Sequence, residues 1–131
     1  MQKIEWNDQF SVGIAEMDFQ HQKIANLLNT LVDHALEDAR SEKISEALME
    51  MVEYASEHFR CEEELLRTYA YTDLAQQQRA HRQFRRQVGE FCVLVAEGDE
   101  QVVCKMLEFL RDWWANHILN EDKKYSAILE K

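Results

Sequence analysis

The chain has 131 residues, 46% of them hydrophobic, with no proline, three glycines and a formal net charge of −10. One domain over 1–131 with a real core is expected, and the scarcity of turn residues argues against strands and hairpins. An acidic surface repels phosphate backbones and anionic headgroups, so neither nucleic acid nor a membrane surface is an expected partner.

In chain order, MQKIEWNDQF shows no apolar h-region, and no signal peptide is expected. Residues 1 to 17 read as an arm, with Trp6 and Phe10 as anchors onto the core. Helix A is predicted from Asp18 to Ala39, with Ile24, Leu27, Leu28, Leu31 and Val32 on one stripe. Helix B is predicted from Ser41, as N-cap, to Thr68, with Ile44, Leu48, Met51, Val52, Ala55, Phe59 and Leu66 inward. The segment YAYTD interrupts the pattern, and Thr72 or Asp73 is placed as the cap of helix C. Helix C carries Leu74, Phe84, Val88, Cys92 and Val95 and ends near Gly98. Helix D follows Asp99 with Val103, Met106, Leu107, Leu110, Trp113 and Trp114. A short tail helix covers roughly Lys123 to Glu130. The fold class is all-α: an up-down-up-down antiparallel four-helix bundle with an N-terminal arm and a short C-terminal helix.

The longest apolar run, FCVLVA at 91 to 96, is far too short to span a bilayer. Cys61, Cys92 and Cys104 are odd in number, widely spaced and in no CxxC, as expected of free thiols in a reducing cytoplasm.

Polar residues fall on the inward stripes. His21 precedes Ile24 by three and Leu28 by seven. Glu62 stands four after His58 and four before Leu66. His81 precedes Val88 by seven, and His117 follows Leu110 by seven. Each helix thus turns one histidine inward, and helix B adds a carboxylate; His34 falls at the rim of helix A. A single inward histidine is more often a hydrogen-bonded core residue than a ligand. Four on facing helices, around a buried carboxylate, reverse that expectation. Metal coordination satisfies such a cluster, and the donors are too many for one zinc, so the pattern points to a dinuclear site bridged by carboxylates. Ideal helix geometry places Glu121, four after His117, further inward than Asp122, which lies about 140° around the helix from it.

GIAEMDFQH, HFRCE, the run QQRAH before Phe84, and WWANHILNED together resemble the hemerythrin family, in its single-domain bacterial branch, over essentially the whole chain. The resemblance implies reversible dioxygen binding at a non-haem centre of two iron ions with an oxo or hydroxo bridge. By position it implies that His21 and His58 hold the iron that takes up dioxygen, that His81 and His117 hold the other, and that Glu62 and Asp122 bridge them. Asp122 then requires the end of helix D to loosen. The imidazole-rich set favours carriage, storage or delivery to an oxygen-consuming enzyme over oxygenase chemistry, which relies on more carboxylates. A monomer is expected.

Two positions depart from the family pattern. Gln77 stands where a histidine ligand is expected; it lies four before His81 and seven before Phe84, so it faces inward. Its amide is expected to ligate iron weakly or to hold a water there, weakening the cluster and opening a route to peroxidase-like turnover. Trp113 is followed by Trp114 where the family usually has leucine. Both are assigned to the dioxygen pocket, and Trp114 is expected to narrow the access route.

Overall fold

A computed structural model describes residues 3–38 and 42–129. Four long helices form the bundle: α1 (Ala15–Glu37), α2 (Glu42–Thr68), α3 (Leu74–Ala96) and α4 (Glu100–His117). A short α5 (Lys123–Leu129) follows. Each long helix packs on its two neighbours, α1 against α2 and α4, and α3 against α2 and α4. Short connections between helices that are neighbours in both sequence and space give the antiparallel up-down-up-down order. The predicted stripes meet in the middle, where Leu31, Leu48, Met51, Leu66, Met106 and Leu110 are buried.

The helix ends refine the sequence expectations. Helix α1 starts at Ala15 rather than Asp18. Asp18 turns back on the arm. Its carboxylate accepts from the Val12 N–H at 2.8 Å and from the Ser11 hydroxyl at 2.6 Å. Gly13, with φ of 76°, makes the bend that allows this. The predicted Ser41 cap and the last residue of helix A, Ala39, lie outside the described residues. Asp73 precedes α3, but its side chain makes no cap; its backbone carbonyl accepts from the N–H groups of Gln76 and Gln77. Asp99 caps α4 through its side chain, accepting from Gln101 and Val102. Helices α2 and α3 close alike, with a backbone N–H reaching back five residues: Tyr71 to Leu66, and Asp99 to Leu94. The left-handed residue is Ala70 in one turn and Gly98 in the other.

The arm is tied down as expected. Asn29 of α1 exchanges two hydrogen bonds with the backbone of Ile4, at 2.7 and 2.9 Å. Trp6 and Phe10 pack on Trp114, with ring centroids 6.2 and 4.7 Å away.

After His117 the helix widens into a π-turn over Ile118–Asp122. Closing on the fifth residue rather than the fourth rotates Asp122 back over His117. Asp122 is fully buried, while Glu121 is part-exposed and pairs with Lys124. The choice that ideal geometry made, Glu121 inward, is thus overturned by one wide turn.

Candidate metal centre

Each element delivers one or two polar side chains to the bundle interior: His21 from α1, His58 and Glu62 from α2, Gln77 and His81 from α3, His117 from α4 and Asp122 from the π-turn. All seven are buried. His34 is only half-buried and stands apart from them. The three cysteines are free, and none belongs to the cluster.

The two carboxylates divide their oxygens between two groups of imidazoles. Glu62 Oε2 lies 3.4 Å from His21 Nε2 and 3.5 Å from His58 Nε2, and Glu62 Oε1 lies 3.1 Å from His81 Nε2. Asp122 Oδ2 lies 3.2 Å from His21 Nε2, and Asp122 Oδ1 lies 3.2 Å from His117 Nε2. Among the described residues, His21, His58 and Glu62 form one set with metal-ligand spacing, and Glu62, His81 and His117 form a second.

Three supporting residues escaped the sequence reading. His58 Nδ1 meets Gln20 Oε1 at 2.6 Å, and His81 Nδ1 meets Glu63 Oε2 at 2.8 Å. Both acceptors fix the proton on Nδ1 and leave Nε2 facing the cluster. The Tyr125 hydroxyl donates to Glu62 Oε2 at 2.9 Å from a fully buried position. Tyr125 was within reach of sequence reasoning, standing three after Asp122 on the same helical face. Gln20 and Glu63 are sequence neighbours of His21 and Glu62, yet each serves a histidine on another helix, which only the packing reveals.

Burial opposes charge on every group here, and the neighbours decide the outcome. Burial works against a charged His21, but Asp122 and Glu62 lift its pKa to about 9. His117 is raised too, since Asp122 outweighs its burial. His58 is lowered, burial outweighing Glu62. Burial would raise the Glu62 carboxyl, but His58, His21 and His81 hold it well below the carboxylate range. Asp122 is also lowered, His117 and His21 overcoming its burial and the nearby Glu62. Two ionised carboxylates at the centre of a bundle call for positive charge, which imidazolium or a cation can supply; a cation displaces the protons.

The donor set fits a pair of cations. Despite these close approaches, His21, His81 and His117 Nε2, Glu62 Oε1, Gln77 Oε1 and Asp122 Oδ2 are all buried without a hydrogen-bond partner. Buried polar atoms are otherwise almost always satisfied. This many orphans converging on one place, all of them metal-donor types, is what a site for nitrogen- and oxygen-ligated metal requires.

Above the cluster lies a cavity of about 20 Å3, lined by His21, His58, His117 and Asp122 on its polar side. Apolar side chains close it, among them Ile24, Leu28, Met51, Phe59 and Leu110, with Trp113 and Trp114. Neither His81 nor Gln77 reaches it. Trp114 is buried, with its indole N–H donating to the His21 carbonyl at 3.2 Å. Trp113 is half-buried and stacks on His117, ring centroids 4.4 Å apart.

The Hemerythrin HHE cation binding domain model matches residues 12–129. A bacteriohemerythrin of Clostridium acetobutylicum is 30% identical over 124 residues, covering 92% of this chain and 96% of that protein. A bacteriohemerythrin of Pseudomonas paraeruginosa is 33% identical over 125 residues, covering 95% of this chain and 80% of that one. The crystal structure of a wild-type hemerythrin, 27% identical, superposes with a TM-score of 0.88 and covers 98% of both chains.

Proposed function

This chain belongs to the hemerythrin family, and from that membership we propose that it binds dioxygen reversibly at a non-haem centre of two iron ions. His21, His58, His81, His117, Glu62 and Asp122 would hold the two metals, with both carboxylates bridging. The observation that carries this is the convergence of orphaned donor atoms beneath an apolar cavity. Two ferrous ions, when bound, would supply the electrons that a reversible carrier lends to dioxygen and recovers.

The chain's own residues set the conditions. Gln20 and Glu63 hold the rings of His58 and His81 with Nε2 inward. The cavity's volume is little above the ~10–15 Å3 that admits one water, so it selects a very small guest. The leucine, isoleucine, methionine and phenylalanine part of its lining offers no proton donor, and the His21, His58 and His117 imidazoles would be occupied by metal. The Trp114 N–H is already engaged by the His21 carbonyl. Starved of protons, the guest is released rather than reduced.

A second reading, peroxidase-like turnover, is favoured by Gln77 at a position where the family pattern has a ligand. One experiment separates the two. Ferrous iron is added anaerobically, air is admitted, and argon follows. A visible charge-transfer band that forms in air and disappears under argon is the expected result. Irreversible bleaching with consumption of added peroxide would establish turnover instead. Failure to take up two irons per chain would sink both.

A further inference from the structure

The two carboxylates each receive one hydrogen bond from a protein donor, and the two bonds are diagonal to one another. Tyr125 donates to Glu62 Oε2, the oxygen beside His21 and His58. The Gln77 amide nitrogen donates to Asp122 Oδ1 at 2.9 Å, the oxygen beside His117. The oxygens left without hydrogen bonds are the other two, Glu62 Oε1 and Asp122 Oδ2. Each group of imidazoles therefore meets one clamped and one unclamped carboxylate oxygen.

We propose that Gln77 is a positioning residue, acting on the metals through Asp122 rather than as a ligand, and that Gln77 and Tyr125 form a matched pair of clamps on the bridging carboxylates. This rests on the metal-centre reading above. An ionised carboxylate only accepts, so the amide edge that touches Asp122 must be the NH2 edge. That edge offers no lone pair, so it cannot itself ligate a cation in the His81 and His117 half. Turning the amide over to offer its oxygen there would set two acceptors against each other. Asp122 has particular need of a clamp. It is a short side chain reaching in from a π-turn, five residues beyond His117. Tyr125 plays the same part for Glu62 from one turn further along. With Gln77 as a clamp, each metal would have two imidazoles and a share of two carboxylates.

The rival role is ligation through Gln77 Oε1, which is buried without a hydrogen bond. The two roles differ in sign. Gln77→Glu keeps an oxygen that binds metal better than an amide but removes the donor. Gln77→Met keeps the length and lacks charge, donor and oxygen. Tyr125→Phe removes only the other clamp. Full-length proteins would be loaded anaerobically with ferrous iron, and separately with cobalt(II), and challenged with a chelator. Circular dichroism would check folding. The clamp predicts about 10–100-fold weaker retention in all three variants, the usual effect of losing an outer partner. It also predicts cobalt absorption bands of unchanged position in Gln77→Met and Tyr125→Phe, because the ligand set is the same. Tighter retention in Gln77→Glu, or shifted cobalt bands in Gln77→Met, would overturn the proposal. So would unchanged retention in Gln77→Met and Tyr125→Phe. A parent chain that holds no metal pair would remove the functional reading itself, whereas a loaded parent with indifferent variants removes only the clamp.

Discussion

The two halves of the centre offer equal numbers of imidazoles in unlike surroundings. His21 and His58 both border the apolar cavity, and the ring behind His58 is steadied by a neutral amide, Gln20. His81 lies away from the cavity, stacked on Phe59 with ring centroids 4.0 Å apart, and a carboxylate, Glu63, stands behind it. A carboxylate partner makes an imidazole a stronger donor than an amide partner does. On the proposed function, one half would admit a guest and the other hold charge. The difference is written in outer residues, while the inner donors are nearly symmetric. His117 borders the cavity as well, so the division is sharpest between His58 and His81.

The most drastic way to break the comparison is to remove the residue that belongs to both halves. Glu62 touches His21, His58, His81 and Tyr125. Glu62→Ala is expected to abolish paired loading, with metal analysis falling from two ions per chain to one or none. Removing one partner from a buried charged network typically costs about 3–5 kcal/mol, so the urea midpoint of the metal-free protein should also drop clearly. Retention of two metals would show that the halves do not share this bridge.

Gln77→His should sharpen the contrast instead, by giving the His81 half a third imidazole. Metal retention should rise by more than the roughly 10–100-fold that an outer partner is worth, and the dioxygen adduct should oxidise more slowly. Unchanged iron content and adduct lifetime would mean that position 77 does not influence the metals.

A smaller step is to make the outer partners alike. Glu63→Gln would place amides behind both His58 and His81. Retention is expected to weaken by about 10–100-fold in the His81 half alone, read as one weak and one unchanged phase in chelator competition. Equal weakening of both phases would deny that the halves are separately tuned.

Much of this was legible in the sequence because burial obeys helical periodicity. His21, His58, Glu62, Gln77, His81 and His117 fall on the inward stripes by counting alone, and all are buried. Gln76 and Gln77 look alike in a run of glutamines, yet counting puts only the second inward, and only the second is buried. Asp122 was not legible from ideal geometry, since a π-turn changes the count and leaves no plain signal in ILNED. The predicted start of α1 at Asp18 falls three residues late, because the N-cap, Ile14, makes no side-chain cap that would mark the true start. Gln20 and Glu63 act across helices, and no single helix's periodicity announces a partner on another.

The mildest test touches only the entrance to the open half. Trp114 lines the cavity, hydrogen-bonds the His21 carbonyl and carries Trp6 and Phe10 on its outer side. In Trp114→Leu the ligands and both clamps remain, so metal content and cobalt bands should not change. The smaller side chain opens the cavity toward the arm, and dioxygen association should quicken severalfold in stopped-flow traces. The stability loss should stay below the ~3–5 kcal/mol of truncating such a residue to alanine, because leucine refills part of the space. If association is unchanged while stability falls, Trp114 is packing alone, and the guest enters past another wall of the cavity, where Trp113 and Phe59 stand beside His117 and His58.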